Sequence, residues 1–118
     1  MMTMPITIYH NPRCTKSRLS LALLNEKGFK PTIIEYLNHP PDHETLKSIL
    51  TKLGISAREL MRTNEQAYKD AKLDAPELTE DQLIDAMISQ PVLIERPIVI
   101  HGNKAVIGRP PENILEII

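Results

Sequence analysis

Hydrophobic and polar positions along this chain change period twice. Ile6-Thr7-Ile8-Tyr9 alternates as a strand does. A run from Thr15 to about Lys27 carries Leu19, Leu21, Leu23 and Leu24, a helix with leucines available to face a sheet. Gly28 follows as a left-handed C-cap. Pro31 opens a second strand, Thr32 to Leu37. Strand, helix and strand over about 30 residues make a βαβ unit, with parallel strands and a right-handed crossover. Asn38-His39-Pro40-Pro41 is then a stiff turn, since two prolines continue neither strand nor helix. Beyond it the period is helical. Asp42 caps a helix carrying Leu46, Ile49, Leu50 and Leu53, and Gly54 ends it. Ser56-Ala57-Arg58-Glu59 has capping-box form for a short helix through about Met61, with Arg62 at its end. Asn64 to Lys72 fits another short helix, and Asp74-Ala75-Pro76 is a break. Thr79-Glu80-Asp81-Gln82 is a second capping box, leading into Leu83, Ile84, Met87 and Ile88 and stopped by Pro91. Strand character returns in Pro97–Ile100 and Lys104–Ile107, a hairpin around the loop His101-Gly102-Asn103. Arg109-Pro110-Pro111 starts a final helix, Glu112 to Ile118.

The order βαβ, helical block, ββα predicts an α/β fold. It is a thioredoxin-like four-stranded mixed sheet flanked by helices, one domain over residues 1–118 with a helical insertion at about 42–90. That topology puts a nucleophilic cysteine after the first strand and a cis-proline before the third. Pro97 is the candidate, because a cis bond is common only before proline.

Composition removes several alternatives. A single cysteine in 118 residues rules out an internal disulfide and a cysteine-built zinc cage, and fits a reducing compartment. Net charge is −1, with no Trp and one Phe, so neither a basic nucleic-acid surface nor a base-stacking platform is visible. Met1-Met2-Thr3-Met4-Pro5 shows no signal-peptide pattern, and no apolar run approaches a membrane span. The expectation is a soluble, cytoplasmic monomer with no membrane or nucleic-acid partner and no bound metal.

Chemistry concentrates in Tyr9-His10-Asn11-Pro12-Arg13-Cys14-Thr15-Lys16-Ser17-Arg18. Cys14 falls in a strand-to-helix turn, where free N–H groups and the helix dipole favour an anion. Bringing a thiol from about 8.5 to about 6.5 takes roughly 2.7 kcal/mol. A helix terminus supplies about 0.3–1 kcal/mol. Cationic help is therefore needed, and His10, Arg13, Lys16 and Arg18 are near in sequence. A lone cysteine is most often a small buried apolar residue. The polar, basic surroundings weigh equally for a nucleophile, and the local sequence leaves the two even.

Three arginines fall at element ends: Arg62, Arg96 and Arg109. Arg96 and Arg109 precede prolines, which fixes their backbones toward extended geometry. A guanidinium fork suits a tetrahedral oxyanion. Most single arginines are surface residues, so the reading depends on all three converging with Cys14. A Cys-x5-Arg loop is absent, because Ser20 stands six residues after Cys14, and Ser17 replaces the second cysteine of a Cys-x-x-Cys pair. His39 and His43 are separated by Pro40 and Pro41, which argues against a shared metal.

Ile8 to Arg18 resembles the active-site motif of the ArsC family, the glutaredoxin-coupled arsenate reductases. Gly54 to Arg62, Arg96-Pro97-Ile98-Val99 and Gly108-Arg109-Pro110-Pro111-Glu112 match its later motifs in order. The compact length is closer to the YfgD-like branch, since longer members carry a C-terminal extension. The resemblance implies that Cys14 is the nucleophile and that Arg62, Arg96 and Arg109 bind the oxyanion and stabilise a covalent arsenic adduct. It places His10 and Ser17 in support of the thiolate, one by charge and one by a hydroxyl hydrogen bond. Arsenate is the implied substrate, glutathione the co-substrate and glutaredoxin the partner that resolves the mixed disulfide, with no bound cofactor. One cysteine agrees with that route, because external thiols must finish the cycle. The rivals on the same fold are an Spx-like regulatory or binding protein and a general glutathione-dependent thiol oxidoreductase.

Overall fold

The computed structural model describes residues 5–118. Met1 to Met4, where a leader was judged absent, lie outside the described residues. The chain divides into two compact units, Met1–His39 with Arg96–Ile118, and Pro40–Glu95. The helices expected over about 42–90 fall in the second of these units.

The first unit holds β1 (Ile6–Tyr9), α1 (Thr15–Glu26), β2 (Thr32–Ile34), β3 (Ile98–His101) and β4 (Lys104–Ile107), closed by a 3₁₀ helix over Pro111–Glu116. The sheet order is β2-β1-β3-β4. β1 runs parallel to β2 (Ile8 opposite Ile33) and antiparallel to β3 (Ile8 opposite Val99), and β4 is antiparallel to β3. This is the thioredoxin-like mixed sheet expected. Its core joins Ile6, Ile8 and Val99 of the sheet to Leu24 of α1 and Ile114 of the 3₁₀ helix. The peptide bonds before Pro97 and before Pro110 are both cis. The first was expected.

Four local expectations are corrected. β2 stops at Ile34 rather than Leu37, because its partner strand leaves the sheet after Tyr9. His10 N–H still donates to the Ile34 carbonyl (2.8 Å), and the Glu35 carbonyl then accepts from Asn38 (3.0 Å) and His39 (2.9 Å), which folds the chain into a turn. On α1, Leu24 is in the core and Leu21 and Leu23 pack against it as expected, but Leu19 is exposed, and Ser17 and Ser20 share the buried stripe. A small residue suits position 20 because Gly108 comes so close that a Cβ on it would collide with the Ser20 hydroxyl and meet Pro97 Cγ at 2.9 Å. His101 is the last residue of β3, paired with Lys104, not a loop residue. Gly102 takes the positive φ (65°) of the two-residue hairpin turn that follows. Finally, the C-terminal helix is 3₁₀, with i to i+3 bonds such as Asn113 N–H to Pro110 O at 3.0 Å. Two prolines at its start and a six-residue length suit that tighter form.

The second unit is helical: α2 (His43–Leu53), α3 (Ala57–Leu60), α4 (Gln66–Asp70) and α5 (Glu80–Ser89), then a 3₁₀ turn over Pro91–Leu93. The predicted caps are in place. Asp42 accepts from Thr45 N–H, Gly54 is left-handed at φ 71°, and both capping boxes, Ser56/Glu59 and Thr79/Gln82, are closed. α5 packs against α2, α3 and the 3₁₀ turn, burying Leu46, Ile49, Leu60, Ile84, Met87 and Leu93. Glu80 accepts the Ala57 N–H at 2.6 Å, and His43 bridges Asp85 (2.8 Å) and Asp81 (3.2 Å). No helix among the described residues is long and apolar enough to cross a membrane.

Candidate active site

Cys14 is the N-cap of α1, with an extended backbone (φ −94°, ψ 123°). Its N–H donates to the Asn11 carbonyl at 3.0 Å, and its own carbonyl accepts the Arg18 N–H at 3.0 Å, the bond that starts the helix. Asn11 Oδ1 takes the Arg13 N–H at 3.0 Å. That side chain-to-backbone turn is a habit of asparagine, and Pro12 stiffens it further. The sulfur thus stands on a backbone held on both sides, while its side chain makes no capping bond. Only 8% of Cys14 is exposed, so attack on it must come through a narrow opening.

Arg109 reaches the sulfur from the far end of the chain. Its Nη1 lies 3.9 Å from Cys14 Sγ and also donates to the Arg96 carbonyl at 3.3 Å. The chain is led there by Gly108, whose N–H donates to the Pro97 carbonyl at 2.9 Å. Cys14, Arg109 and the backbone of Arg96 therefore share one corner, with a fixed cation beside the sulfur. Arg18 does not help the sulfur as its sequence position suggested. Its guanidinium donates to the Pro12 carbonyl (3.0 Å) and to Thr15 Oγ1 (3.3 Å), bracing the loop.

His10 and Ser17 are both buried and joined to each other, Nδ1 to Oγ at 2.6 Å. Ser17 Oγ also accepts the Asn11 N–H at 3.0 Å. The hydroxyl expected to serve the sulfur thus ties α1 to the loop that carries it. Burial, the largest influence, pushes His10 below its ordinary value of 6.5; Glu35 raises it and Arg18 lowers it further. The neutral imidazole is favoured at neutral pH, which corrects the expectation that His10 supports a thiolate by its charge.

Arg62 belongs to the helical unit. Its N–H donates to the Leu93 carbonyl at 2.7 Å, beside the bridge of Met61 to Ile94. Its Nε pairs with Glu65 at 3.3 Å, and its Nη1 is buried with no hydrogen-bond partner among the described residues. Among the described residues no cluster of three or more His, Cys, Asp or Glu side chains could hold a metal. Two contributors went unrecognised in the sequence. Asn11 shapes the loop, and the Asn-Pro pair was its signal. Glu35 faces His10 electrostatically, and nothing local announced it.

The model of the ArsC family matches residues 9–117. The chain belongs to the ArsC family. Among ArsC relatives, the uncharacterized protein YfgD of Escherichia coli is 52% identical over 118 residues, 99% of each chain. An arsenate reductase of Haemophilus influenzae is 50% identical, covering 98% of this chain and all of its own. The solved structure of an arsenate reductase from Vibrio cholerae superposes with a TM-score of 0.96 at 46% identity, covering 99% of this chain and 100% of that one. These matches extend across both units, so the ArsC likeness includes the helical insertion as well as the sheet.

Proposed function

We propose that this protein is an arsenate reductase that uses Cys14 as nucleophile and draws its electrons from glutathione and glutaredoxin. The observation that carries the reading is the Arg109 guanidinium 3.9 Å from Cys14 Sγ, a cation fixed where an oxyanion would meet a sulfur. Relatives at about half identity over nearly the whole chain are arsenate reductases by name, which supports the substrate.

In the proposed cycle the Cys14 thiolate forms a bond to arsenic(V), and one arsenate hydroxyl leaves, protonated, as water. Arg62, Arg96 and Arg109 offset the charge repulsion between thiolate and oxyanion and stabilise the adduct. A glutathione thiolate then attacks the Cys14 sulfur. The sulfur–arsenic electron pair stays with arsenic, which leaves as arsenite, and the two sulfurs become a mixed disulfide. Two thiols are oxidised and arsenic gains two electrons. The glutaredoxin thiolate takes the glutathione and frees Cys14; a chain with one cysteine needs an external thiol for that step.

The test is arsenate-dependent NADPH oxidation with glutathione, glutaredoxin and glutathione reductase, comparing this protein with Cys14→Ser. Turnover lost in the variant supports the reading. No arsenate turnover from an intact protein that still forms a glutathione adduct on Cys14 would remove arsenate and leave a thiol oxidoreductase or redox-binding protein.

A further inference from the structure

On the flank of the Cys14 loop lies a hollow of about 310 Å³, at the small end of the range that holds ligands. One wall is the loop itself, His10 to Arg13. The other is the turn after β2, with Glu35, Leu37 and Asn38. Both walls are preformed. Asn11 holds the loop through its carbonyl and its side chain, and the Glu35 carbonyl holds the turn through Asn38 and His39 N–H groups. The two walls are joined where His10 N–H meets the Ile34 carbonyl.

The lining has an unusual balance for its size. It offers one cation, Arg13, one carboxylate, Glu35, the amides of Asn11 and Asn38, and an apolar strip from Pro12 and Leu37. Among the described residues no ion pair joins Arg13 to Glu35, so the two charges stand separately. A lone oxyanion would meet the Glu35 carboxylate, and a lone cation would meet Arg13. A molecule carrying both an ammonium and a carboxylate satisfies both walls. Arg13 also adjoins Cys14 in the chain, so the loop wall of the hollow ends one Cα step, about 3.8 Å, from the cysteine backbone.

We propose that this hollow seats the thiol co-substrate, a zwitterionic cysteine-containing peptide of the glutathione class, with its carboxylate toward Arg13 and its ammonium toward Glu35. The assignment rests on the function proposed above, where an external small thiol must reach Cys14, and it names where that thiol binds.

The test reads binding without arsenate and without reaction at sulfur. S-methylglutathione is titrated into the full chain and followed by amide chemical shifts. Saturable shifts at residues 10–13 and 35–38 are expected. Arg13→Ala and Glu35→Gln, both at exposed side chains, should each weaken the affinity about fivefold, the upper scale of an exposed ion pair. N-acetylated S-methylglutathione, which lacks the ammonium, should bind the unaltered protein about fivefold less well and lose nothing more in Glu35→Gln. Shifts centred elsewhere, no saturable binding, or an affinity in either variant unchanged from the unaltered protein would overturn the assignment. Failure of arsenate turnover with these binding results intact would remove the substrate and keep the hollow. Arsenate turnover with no binding here would do the reverse.

Discussion

In the proposed function the Arg109 side chain carries most weight, because its guanidinium lies in hydrogen-bonding distance of the sulfur. Arg109→Ala is expected to lower arsenate turnover by about 10²–10³, the usual cost of losing one oxyanion donor, with far-UV circular dichroism unchanged. Arg109→Lys should recover only part of that, since an ammonium lacks the planar fork. His10 gives a pH signature. Its folded value lies below the ordinary 6.5, so the stability it contributes is complete above that value and is lost as pH falls through it toward the folded value. Urea midpoints should therefore drop between about pH 8 and about pH 5, with a shallower fall in His10→Gln; an identical slope would remove His10 as the source. Much of this site was readable from one stretch, because Cys14, His10 and Ser17 lie on consecutive turns of chain. Arg109 was named only as one of three arginines at element ends and through the ArsC resemblance; its contact with the sulfur was not in the local sequence, since it stands 95 residues away and the hairpin and Gly108 bring it back. The protonation of His10 was hidden for a related reason: burial is a property of the packed sheet, not of its neighbours in sequence.

At the scale of elements, Gly108 marks the tightest junction, where the end of β4 passes Ser20 of α1 and Pro97. Gly108→Ala should cost about 1–3 kcal/mol by overpacking, seen as a lower urea midpoint. A second prediction concerns α2 and α5. Asp85, the larger influence, and Asp81 raise the His43 value above 6.5, so the clamp stabilises fully below that value and is lost as pH rises through the raised one. His43→Gln should accordingly destabilise more at about pH 6 than at about pH 9, with the two proteins converging at high pH. Helix limits were legible because caps are local: Asp42, Ser56/Glu59 and Thr79/Gln82 each announce a start within four residues. The length of β2 and the buried face of α1 were not. The first depends on where β1 leaves the sheet, and the second on a glycine 88 residues from Ser20.

Across the whole molecule, the thioredoxin-like sheet was recoverable because strand and helix periods alternate cleanly and the two units interrupt each other only once. The helical period of the second unit was plain in the sequence, whereas the unit's limits at Pro40 and Glu95 follow from packing rather than pattern. One detail at the start of α1 carries further. Cys14 occupies the N-cap, a place where serine is among the preferred residues, and its own side chain caps nothing. Cys14→Ser, the variant expected to lose turnover, should then be the sturdier protein, by about 0.5–1 kcal/mol in urea unfolding, if the new hydroxyl closes onto the first turn. Such a result would expose a compromise in the wild sequence: a reactive atom kept at the hinge of strand and helix, where selection for durability alone would have chosen another.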